Sequence, residues 1–543
     1  MMVGRIRFFF FLGIASWLGG ASAAAEGPAR FDWRGFYIGV HGGGALGIVD
    51  VDDPYGASIY GDKVRSTGFF AGGQLGYNWQ HGAAVYGLEA DLSWADMDGT
   101  KTCFAFSGTF ASSNCMAHVN AMGTLAGRLG WTLPSDSRTL VYGKAGLALA
   151  HIEVDALPAG GPGLPGTGSN AWHWGWMLGA GIERAIRPNW TVKAEYAFLG
   201  FGNESFTAPA SGAGELLSPI PATGTSVSPD VHQFKIGMNY AFGDSRPPTP
   251  EQARLFAREA GAANATQYTA GVRYVHGWGQ FQKDLGIVGM GLASPASRLT
   301  YESSDMNGAE AFARVDTSFG LMLKGLVGGA SGGGHMNDED WGLPFAVFIP
   351  YSNTISSVDD RIRYWTVDVG YNWRRGASYT VTPFVGYSQF RQDMKGLGCT
   401  QLANPFSDCN PAIPTSVLVI TEDDTWHSLR LGLAVDVALA PGLSLSGEAA
   451  YLPYVRFTGT DNHVLRSLVS PESGDGVGVQ LEATLSYALT DALSIGVGGR
   501  YWSMRTTSGE VNFGGMEVVP MRYAAEQAHL LVQGSYKFSG RRQ

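Results

Sequence analysis

Past residue 23, this sequence of 543 residues lacks any uninterrupted apolar stretch of about 18 residues, the length that a membrane-spanning helix requires. Charged residues are scarce too, at 15% against about 25% in ordinary soluble domains. Their formal net charge of −10 argues against a nucleic-acid partner. Because 45% of the residues are nevertheless hydrophobic, the apolar side chains must be spread over many short segments.

Cysteine is rare as well, with four residues in two close pairs, Cys103 with Cys115 and Cys399 with Cys409. Neither pair has the Cys-x-x-Cys spacing or the neighbouring His that favours zinc. Both pairs lie in polar stretches between strand-like segments, where an oxidising compartment allows each to close a small loop. We therefore expect two disulfides and no metal site, with zinc as the alternative interpretation.

Glycine, with 77 residues, and aromatic residues, at 12%, accompany segments in which apolar and polar residues alternate. This combination is typical of transmembrane β-barrels. Residues 1–23 have the pattern of a secretory signal peptide, with Arg5 and Arg7 ahead of an apolar stretch and Ala21-Ser22-Ala23 at the cleavage site. The sequence thus predicts an all-β protein of a Gram-negative outer membrane.

The strand-like segments form two sets, which predicts two tandem antiparallel barrels. Residues 31–243 contain about eight strands and residues 267–538 about ten. The segment 244–266 is expected to be a periplasmic linker with a short helix. A single ring of about 18 strands is the alternative. In the first set, long loops are expected at about 50–66, 97–117, 154–171 and 204–231.

Two acidic motifs follow strands of the second set. They are Gly334-His335-Met336-Asn337-Asp338-Glu339-Asp340-Trp341, after the third strand, and Gly459-Thr460-Asp461-Asn462-His463, after the seventh. Odd-numbered strands of a barrel that starts in the periplasm end outside, so both motifs are expected at the extracellular rim. Because alternate residues share a face, Asp338 with Asp340 and Asp461 with His463 form same-side pairs.

These pairs suit the activation of water. Asp461 can accept a hydrogen bond from one nitrogen of His463, which leaves the other nitrogen free as a general base. Asp338 and Asp340 can hold the water, and their like charges should raise one carboxyl pKa. Solvated rim residues without chemistry are the alternative. Strict alternation from residue 443 directs Asp461 and His463 outward, so the catalytic interpretation requires a β-bulge, expected near 458–460.

At these residues the second barrel resembles the omptins, ten-stranded outer-membrane endoproteases. The resemblance also rests on Ser297-Arg298-Leu299-Thr300-Tyr301 and on Gly386-Tyr387 with Arg391. It implies Asp338 with Asp340 as an acidic couple and Asp461 with His463 as a base couple. It further implies peptide or protein substrates at the cell surface. A requirement for lipopolysaccharide, held in part by Tyr387 and Arg391, is implied as well, and no other cofactor.

Three positions depart from the omptin pattern. Gly459 and the stretch Met290-Gly291-Leu292 stand where the family has acidic groups that bind basic residues. Gln389 replaces the acid of the lipopolysaccharide pattern. Cleavage between paired basic residues therefore does not follow from the resemblance, and the substrate stays open.

The first barrel resembles the small eight-stranded outer-membrane barrel family, through Trp33-Arg34-Gly35-Phe36-Tyr37-Ile38-Gly39. That family has no shared chemistry. We therefore expect a surface endopeptidase of aspartic type, in contact with outer-membrane lipid and joined to a structural barrel. The alternative is a non-enzymatic structural or adhesin barrel. A diffusion porin is disfavoured, because barrels of about eight to ten strands are filled by side chains.

Overall fold

A computed structural model describes twelve segments of the chain. The expected signal peptide at 1–23 lies outside them, as does the expected linker at 244–266 apart from its last residue. Within these segments, no helix is long and apolar enough to cross a membrane. The described segments are 31–54, 63–104, 113–133, 137–158, 166–210, 221–242, 266–286, 295–341, 352–375, 379–402, 407–515 and 517–539.

The first barrel is a closed antiparallel ring with one short strand added at its rim. Its strands are β1 (Gly35–Val51), β2 (Lys63–His81), β3 (Ala84–Cys103), β4 (Ser113–Thr132), β5 (Thr139–Pro158), β6 (Thr167–Arg187), β7 (Trp190–Phe201), β8 (Glu204–Ala208) and β9 (Thr223–Phe242). Each strand pairs with the next, except that β7 pairs with β9 and the short β8 pairs with β9 alone. β1 closes the ring against β9, with Phe36 opposite Phe242.

The second barrel closes in the same way. Its strands are β10 (Gln267–Leu285), β11 (Ser297–Asp316), β12 (Leu321–Asp340), β13 (Ser352–Tyr371), β14 (Arg374–Arg375), β15 (Tyr379–Gln401), β16 (Ile413–Ala440), β17 (Leu443–His463), β18 (Leu468–Ala488), β19 (Leu493–Phe513) and β20 (Glu517–Ser539). β10 pairs with β20, and β13 pairs with β15 past the two-residue β14. Two separate rings confirm the tandem-barrel prediction and exclude a single ring.

A band of large apolar side chains faces outward around each barrel, as in outer-membrane barrels generally. In the second barrel, Val272, Val327 and Val367 are more than half exposed. Exposed aromatic residues border the band, with Tyr268 at one end of β10 and Trp278 toward the other. Beyond this outer border the strands continue above the membrane, and the acidic motifs lie there.

Charged side chains fill the lumens. In the first barrel, Glu89 accepts hydrogen bonds from Lys144 and Lys193, each at 2.8 Å, and all three residues are buried. In the second, Arg500 contacts Glu310 at 2.6 Å. Buried charges are tolerated when they are paired, so the described lumens are packed interiors. This packing argues against a diffusion porin.

The barrels lie side by side along a seam that is apolar at membrane depth. Gly44 faces Val479 and Leu481 so closely that a Cβ at residue 44 would lie 2.9 Å from a side-chain atom of each. Glycine is thus required here by the approach of the second barrel. Toward the periplasm, the packed apolar residues are Ile186, Val192, Ile236, Tyr379, Val381, Val435 and Val437.

The strands extend farther than the sequence patterns indicate. The expected loop at 97–117 contains the end of β3 and the start of β4, and the expected loop at 204–231 contains β8 and the start of β9. Above the membrane both faces of a strand can be polar, so alternation fades while backbone pairing continues. The loops are correspondingly shorter.

Both cysteine pairs form disulfides. The Cα atoms of Cys103 and Cys115 lie 5.7 Å apart, and those of Cys399 and Cys409 lie 5.5 Å apart. The first disulfide joins the extracellular ends of β3 and β4. The second ties the end of β15 to the segment before β16. Within each pair, the two sulfurs are therefore bonded to each other.

Candidate active site

β12 carries the acidic couple, and its side chains alternate without a break. Leu323 and Val327 face lipid, whereas Met336 is buried inside the barrel. Pairing with β13 is regular along the whole strand. Asp338 and Asp340 therefore share the inward face with Met336.

β17 carries the base couple and contains a β-bulge at Leu452-Pro453-Tyr454. The register with both neighbouring strands shifts there. Leu452 and Val455 are buried, while Tyr454 between them is 52% exposed. Proline has no backbone N–H to donate to a ladder, so a bulge accommodates it within a strand.

This bulge reverses which face the later residues occupy. The expected position near 458–460 is wrong, because pairing is regular from Val455 to His463. Phe457 and Asp461 are buried with Val455 on the inward face. His463 follows Asp461 by two residues and joins them. The base couple thus points into the same lumen as the acidic couple.

Asp338, Asp340 and His463 line one cavity of about 250 Å³. A water molecule occupies about 30 Å³ in the liquid, so the cavity has room for water and part of a substrate. Its remaining wall is mainly apolar or hydroxylated and includes Met336, Ser352, Thr354, Ser356, Ile413, Val419, Ile420 and Leu465. The fold therefore brings both couples together at one extracellular rim.

Asp461 lies beside His463 and is braced by a lysine. Its Oδ1 is 3.2 Å from His463 Nδ1, although the two atoms are not aligned as a hydrogen bond. Such bonds often tighten only when substrate binds. Its Oδ2 is 2.8 Å from Lys283 Nζ. Burial opposes ionisation, but the ammonium of Lys283 lowers the pKa of Asp461 to about 2, so Asp461 is a carboxylate at neutral pH.

Lys283 also forms ion pairs with a buried group of acids beneath the couple. It contacts Glu422 and lies 3.1 Å from Glu472 Oε1. Asp424 joins them, and one oxygen from each of these three carboxylates lies within 4.8 Å of the others. Burial and the charge of Glu422 hold the pKa of Asp424 well above its usual range. Because Lys283 supplies the cation here, we assign no metal to this group.

The acidic couple resists full ionisation. Burial holds the pKa of Asp338 well above its usual range, and the charge of Asp340 adds to this effect. Burial also raises the pKa of Asp340, against a hydrogen bond from Ser297. Asp338 Oδ1 is buried and has no hydrogen-bond partner among the described residues. Burial therefore disfavours ionisation of the couple, and Asp338 Oδ1 offers an acceptor to the cavity.

An ion pair bounds the mouth of the cavity. Arg466 ends the short 3-10 helix Val464–Arg466 that directly follows His463. Its guanidinium contacts Asp408, which precedes the half-cystine Cys409. Arg466 lowers the pKa of Asp338 and Asp340, against the larger effect of burial. The mouth of the cavity therefore lies between the segment after β17 and the disulfide-bonded segment before β16.

Sequence reasoning missed Lys283, Glu422, Glu472 and Arg466. One visible signal was Glu422-x-Asp424-x-Trp426, an alternating run that places two acids on the face of an aromatic residue. Trp426 is fully buried, so the acids share its inward direction. Lys283 carried no such signal, because its neighbours Gln282 and Asp284 are polar as well.

Gly459 leaves space that acids from other strands occupy. A Cβ at this residue would lie 2.6 Å from Asp424 Oδ1 and 3.1 Å from Glu472 Oε2. A larger side chain at 459 therefore requires both acids to move. The stretch Met290-Gly291-Leu292 lies outside the described residues.

Tyr387 and Arg391 lie on the outer wall of the barrel. The Tyr387 hydroxyl is 2.8 Å from His427 Nδ1. Arg391 lies 2.9 Å from Asp393 and 3.3 Å from Asp423, and its side chain is 48% exposed. Neither residue contributes to the cavity, so a lipid role and a catalytic role are spatially separate.

Comparisons with known proteins match the two barrels to different families. The model of the outer membrane protein beta-barrel domain matches residues 13–242. The model of the Omptin family matches residues 309–528. The second match contains both acidic motifs.

Curated relatives match the first barrel. The 31 kDa outer-membrane immunogenic protein of Brucella melitensis biotype 1 is 31% identical over 229 residues, which are 41% of this chain and 89% of the relative. The 22 kDa outer membrane protein of Rhizobium leguminosarum bv. viciae is 29% identical over 191 residues, 34% of this chain and 72% of the relative.

Among solved structures, the outer membrane protease OmpT from Escherichia coli is similar, with 12% identity and a TM-score of 0.44. The match covers 50% of this chain and 97% of that chain. The chain is a protein of the cell outer membrane that belongs to the outer-membrane β-barrel family through its first barrel and carries an omptin family domain in its second.

Proposed function

We propose that the second barrel is an endopeptidase that hydrolyses peptides or proteins at the cell surface. The omptin family domain supports the general class of protein, an outer-membrane protease fused to an outer-membrane barrel. The assignment of the catalytic residues rests on one observation: Asp338, Asp340 and His463 line a single cavity at the extracellular rim.

In this proposal His463 is the general base. Asp461, held as a carboxylate by Lys283, orients the ring and stabilises the imidazolium that forms. Asp338 and Asp340 position the water. His463 takes one proton from this water, and the oxygen attacks the scissile carbonyl carbon. The C–N bond then breaks, and the proton passes to the leaving amine, so no covalent enzyme intermediate forms.

The proposed specificity differs from cleavage at paired basic residues. Of the two buried acids near Gly459, Glu472 already contacts Lys283, and the raised pKa of Asp424 disfavours its ionisation, so neither acid requires a substrate cation. The cavity wall includes Met336, Ile420 and Leu465. We therefore expect an apolar side chain beside the scissile bond.

Lipopolysaccharide is the proposed activator, through Tyr387 and Arg391 on the outer wall. Arg391 is nearly half exposed there, but Asp393 and Asp423 already share its charge. We therefore expect stimulation rather than an absolute requirement. Arg391→Gln should lose this stimulation. Arg456→Gln, which changes an exposed arginine on β17 paired with Asp475, should keep it.

Cleavage of a peptide library by the full-length chain, refolded with and without lipopolysaccharide, tests the proposal. Wild type should cleave peptides beside apolar residues, and His463→Ala and Asp338→Ala should be inactive. His335→Ala is the matched control, because His335 lies on the outward face of β12 near Glu302. Equal inertness of wild type and variants across the library would favour the non-enzymatic structural or adhesin alternative.

A further inference from the structure

Charged side chains beside the acidic couple are buried on the outside of the second barrel. Arg298 and Glu339 are only 1% and 4% exposed, although they project outward and lie above the membrane band. They are cross-strand partners on β11 and β12. On an isolated barrel, water would surround them. In this chain the rim of the first barrel covers them.

The covering contact consists of specific hydrogen bonds. Thr102 donates to Glu339 Oε2 at 2.8 Å. Arg298 donates to Thr102 Oγ1 at 2.9 Å and to Asn114 Oδ1 at 2.7 Å. We call Thr102, Asn114, Arg298 and Glu339 the rim contact. Hydrogen bonds to charged groups are about twice as strong as neutral ones, so this contact can fix two strand ends.

The two strand ends that it fixes hold the acidic couple. Glu339 lies between Asp338 and Asp340 in the chain. Arg298 follows Ser297, whose hydroxyl hydrogen-bonds Asp340. The Arg298 guanidinium also lies 5.9 Å from the ring centroid of Trp341, the residue after Asp340. Movement of the rim contact therefore moves Glu339, the residue that lies between the two inward carboxylates.

A disulfide stiffens the side of the contact that belongs to the first barrel. Thr102 precedes Cys103 and Asn114 precedes Cys115, and these cysteines are bonded to each other. The ends of β3 and β4 therefore cannot separate. Thr102 and Asn114 keep a fixed spacing beside the rim of the second barrel.

We propose that the first barrel is a positioning element for the acidic couple, acting through the rim contact, with Thr102 and Asn114 as positioning residues. This inference rests on the proposed protease function. It gives the fusion a role: the first barrel supplies, from outside, a rigid support for the end of β12, which carries Asp338 and Asp340, and for the paired end of β11.

Hydroxyl deletion at two points of the seam tests the inference in the full-length chain. Thr102→Val removes the two hydrogen bonds that the Thr102 hydroxyl makes in the rim contact, and Thr102→Ser restores the hydroxyl. Thr67→Val is the matched control, because Thr67 Oγ1 lies 2.6 Å from Ser503 Oγ across the same seam, away from β11 and β12. Peptide cleavage kinetics and amide hydrogen exchange across residues 335–341 are measured for each.

Thr102→Val should lower kcat about five- to tenfold with KM changed less than about twofold, because the variant loses two hydrogen bonds to charged groups while the Arg298–Asn114 bond remains. Amide exchange at 335–341 should also rise, while Thr102→Ser and Thr67→Val match wild type. If Thr102→Val matches Thr67→Val in both measurements, the inference is wrong. If wild type cleaves nothing, the protease proposal fails, and the exchange data alone decide whether the rim contact orders these residues. Should Thr102→Val not fold, Asn114→Ala replaces it with the same expected outcomes.

Discussion

Lys283 sets the charge of the base couple at the residue scale. Its ammonium lies 2.8 Å from Asp461 and also contacts Glu422 and Glu472. Removing one partner of a buried ion pair leaves an uncompensated charge, which costs about 3–5 kcal/mol. Arg466 lowers the pKa of Asp338 and of Asp340, but burial has the larger effect and raises the pKa of both. The two couples thus differ in charge because one has a buried lysine and the other does not.

Asp338→Asn should stabilise the protein, and more so at high pH. The folded-state pKa of Asp338 is raised, so its contribution to stability is complete below the unfolded carboxyl pKa and is lost as pH rises through the folded value. The amide has no such loss. Thermal unfolding of both proteins in detergent at pH 5 and pH 8 checks this expectation.

Asp359→Asn is the control for this prediction, because Asp359 is an exposed carboxylate on β13. Its effect on the melting temperature should be nearly the same at both pH values. A stabilisation by Asp338→Asn that grows toward pH 5 would show that burial does not raise the pKa of Asp338.

At the element scale, one extra residue in β17 decides where the base couple points. The bulge at Leu452-Pro453-Tyr454 separates a segment that alternates in one phase from a segment that alternates in the other. A slip of one residue moves every later side chain to the opposite face. Asp461 and His463 point into the lumen only because this residue is present.

Deleting Pro453 should restore uniform alternation and turn Asp461 and His463 outward. We expect activity to fall to the level of His463→Ala while the barrel still folds, as judged by its shifted mobility in unheated gels. Pro453→Ala keeps the residue count and should retain activity within about threefold, because the bulge rather than the proline sets the phase. Full activity of the deletion variant would show that the bulge is dispensable.

Sequence alternation was sufficient to predict two barrels and the shared rim, but it predicted neither the ends of several strands nor the phase of β17. Alternation and even strand counts predicted two closed barrels, and parity placed both motifs at one end. The bulge lies at Pro453 rather than near Gly459, and Pro453 is the better sequence signal because proline cannot donate to a central ladder. Lys283 could not be predicted, since its role depends on Glu422, Glu472 and Asp461, which are distant in sequence.

At the scale of the whole molecule, the two barrels form one unit through a seam that changes character with depth. It is apolar around Gly44 and polar near the extracellular end, where Arg505 contacts Asp96 at 2.7 Å and Arg522 contacts Asp98 at 3.0 Å. Apolar contact in lipid gains little over contact with lipid itself, so close packing matters there. The polar contacts fix the orientation of one barrel relative to the other.

Gly44→Trp should separate the barrels, because even a Cβ at this residue lies 2.9 Å from Leu481 and Val479. A protease site inserted in the segment 244–266 allows the halves to be separated after cutting. Wild-type halves should remain together on a sizing column in mild detergent, whereas Gly44→Trp halves should part. Gly127→Trp, on the exposed face of β4, is the matched control and should behave as wild type. Co-migration of Gly44→Trp halves would contradict the seam.

In the proposed mechanism, the acidic couple and the base couple act as one unit across a single cavity. A double-mutant cycle of kcat/KM with Asp338→Ala, His463→Ala and the combined variant tests it most directly. Each single variant should lose about a thousandfold or more, and the combined variant should be no slower than the slower single one, as for residues that act together. Losses that multiply, or a single variant that keeps the wild-type rate, would contradict the account.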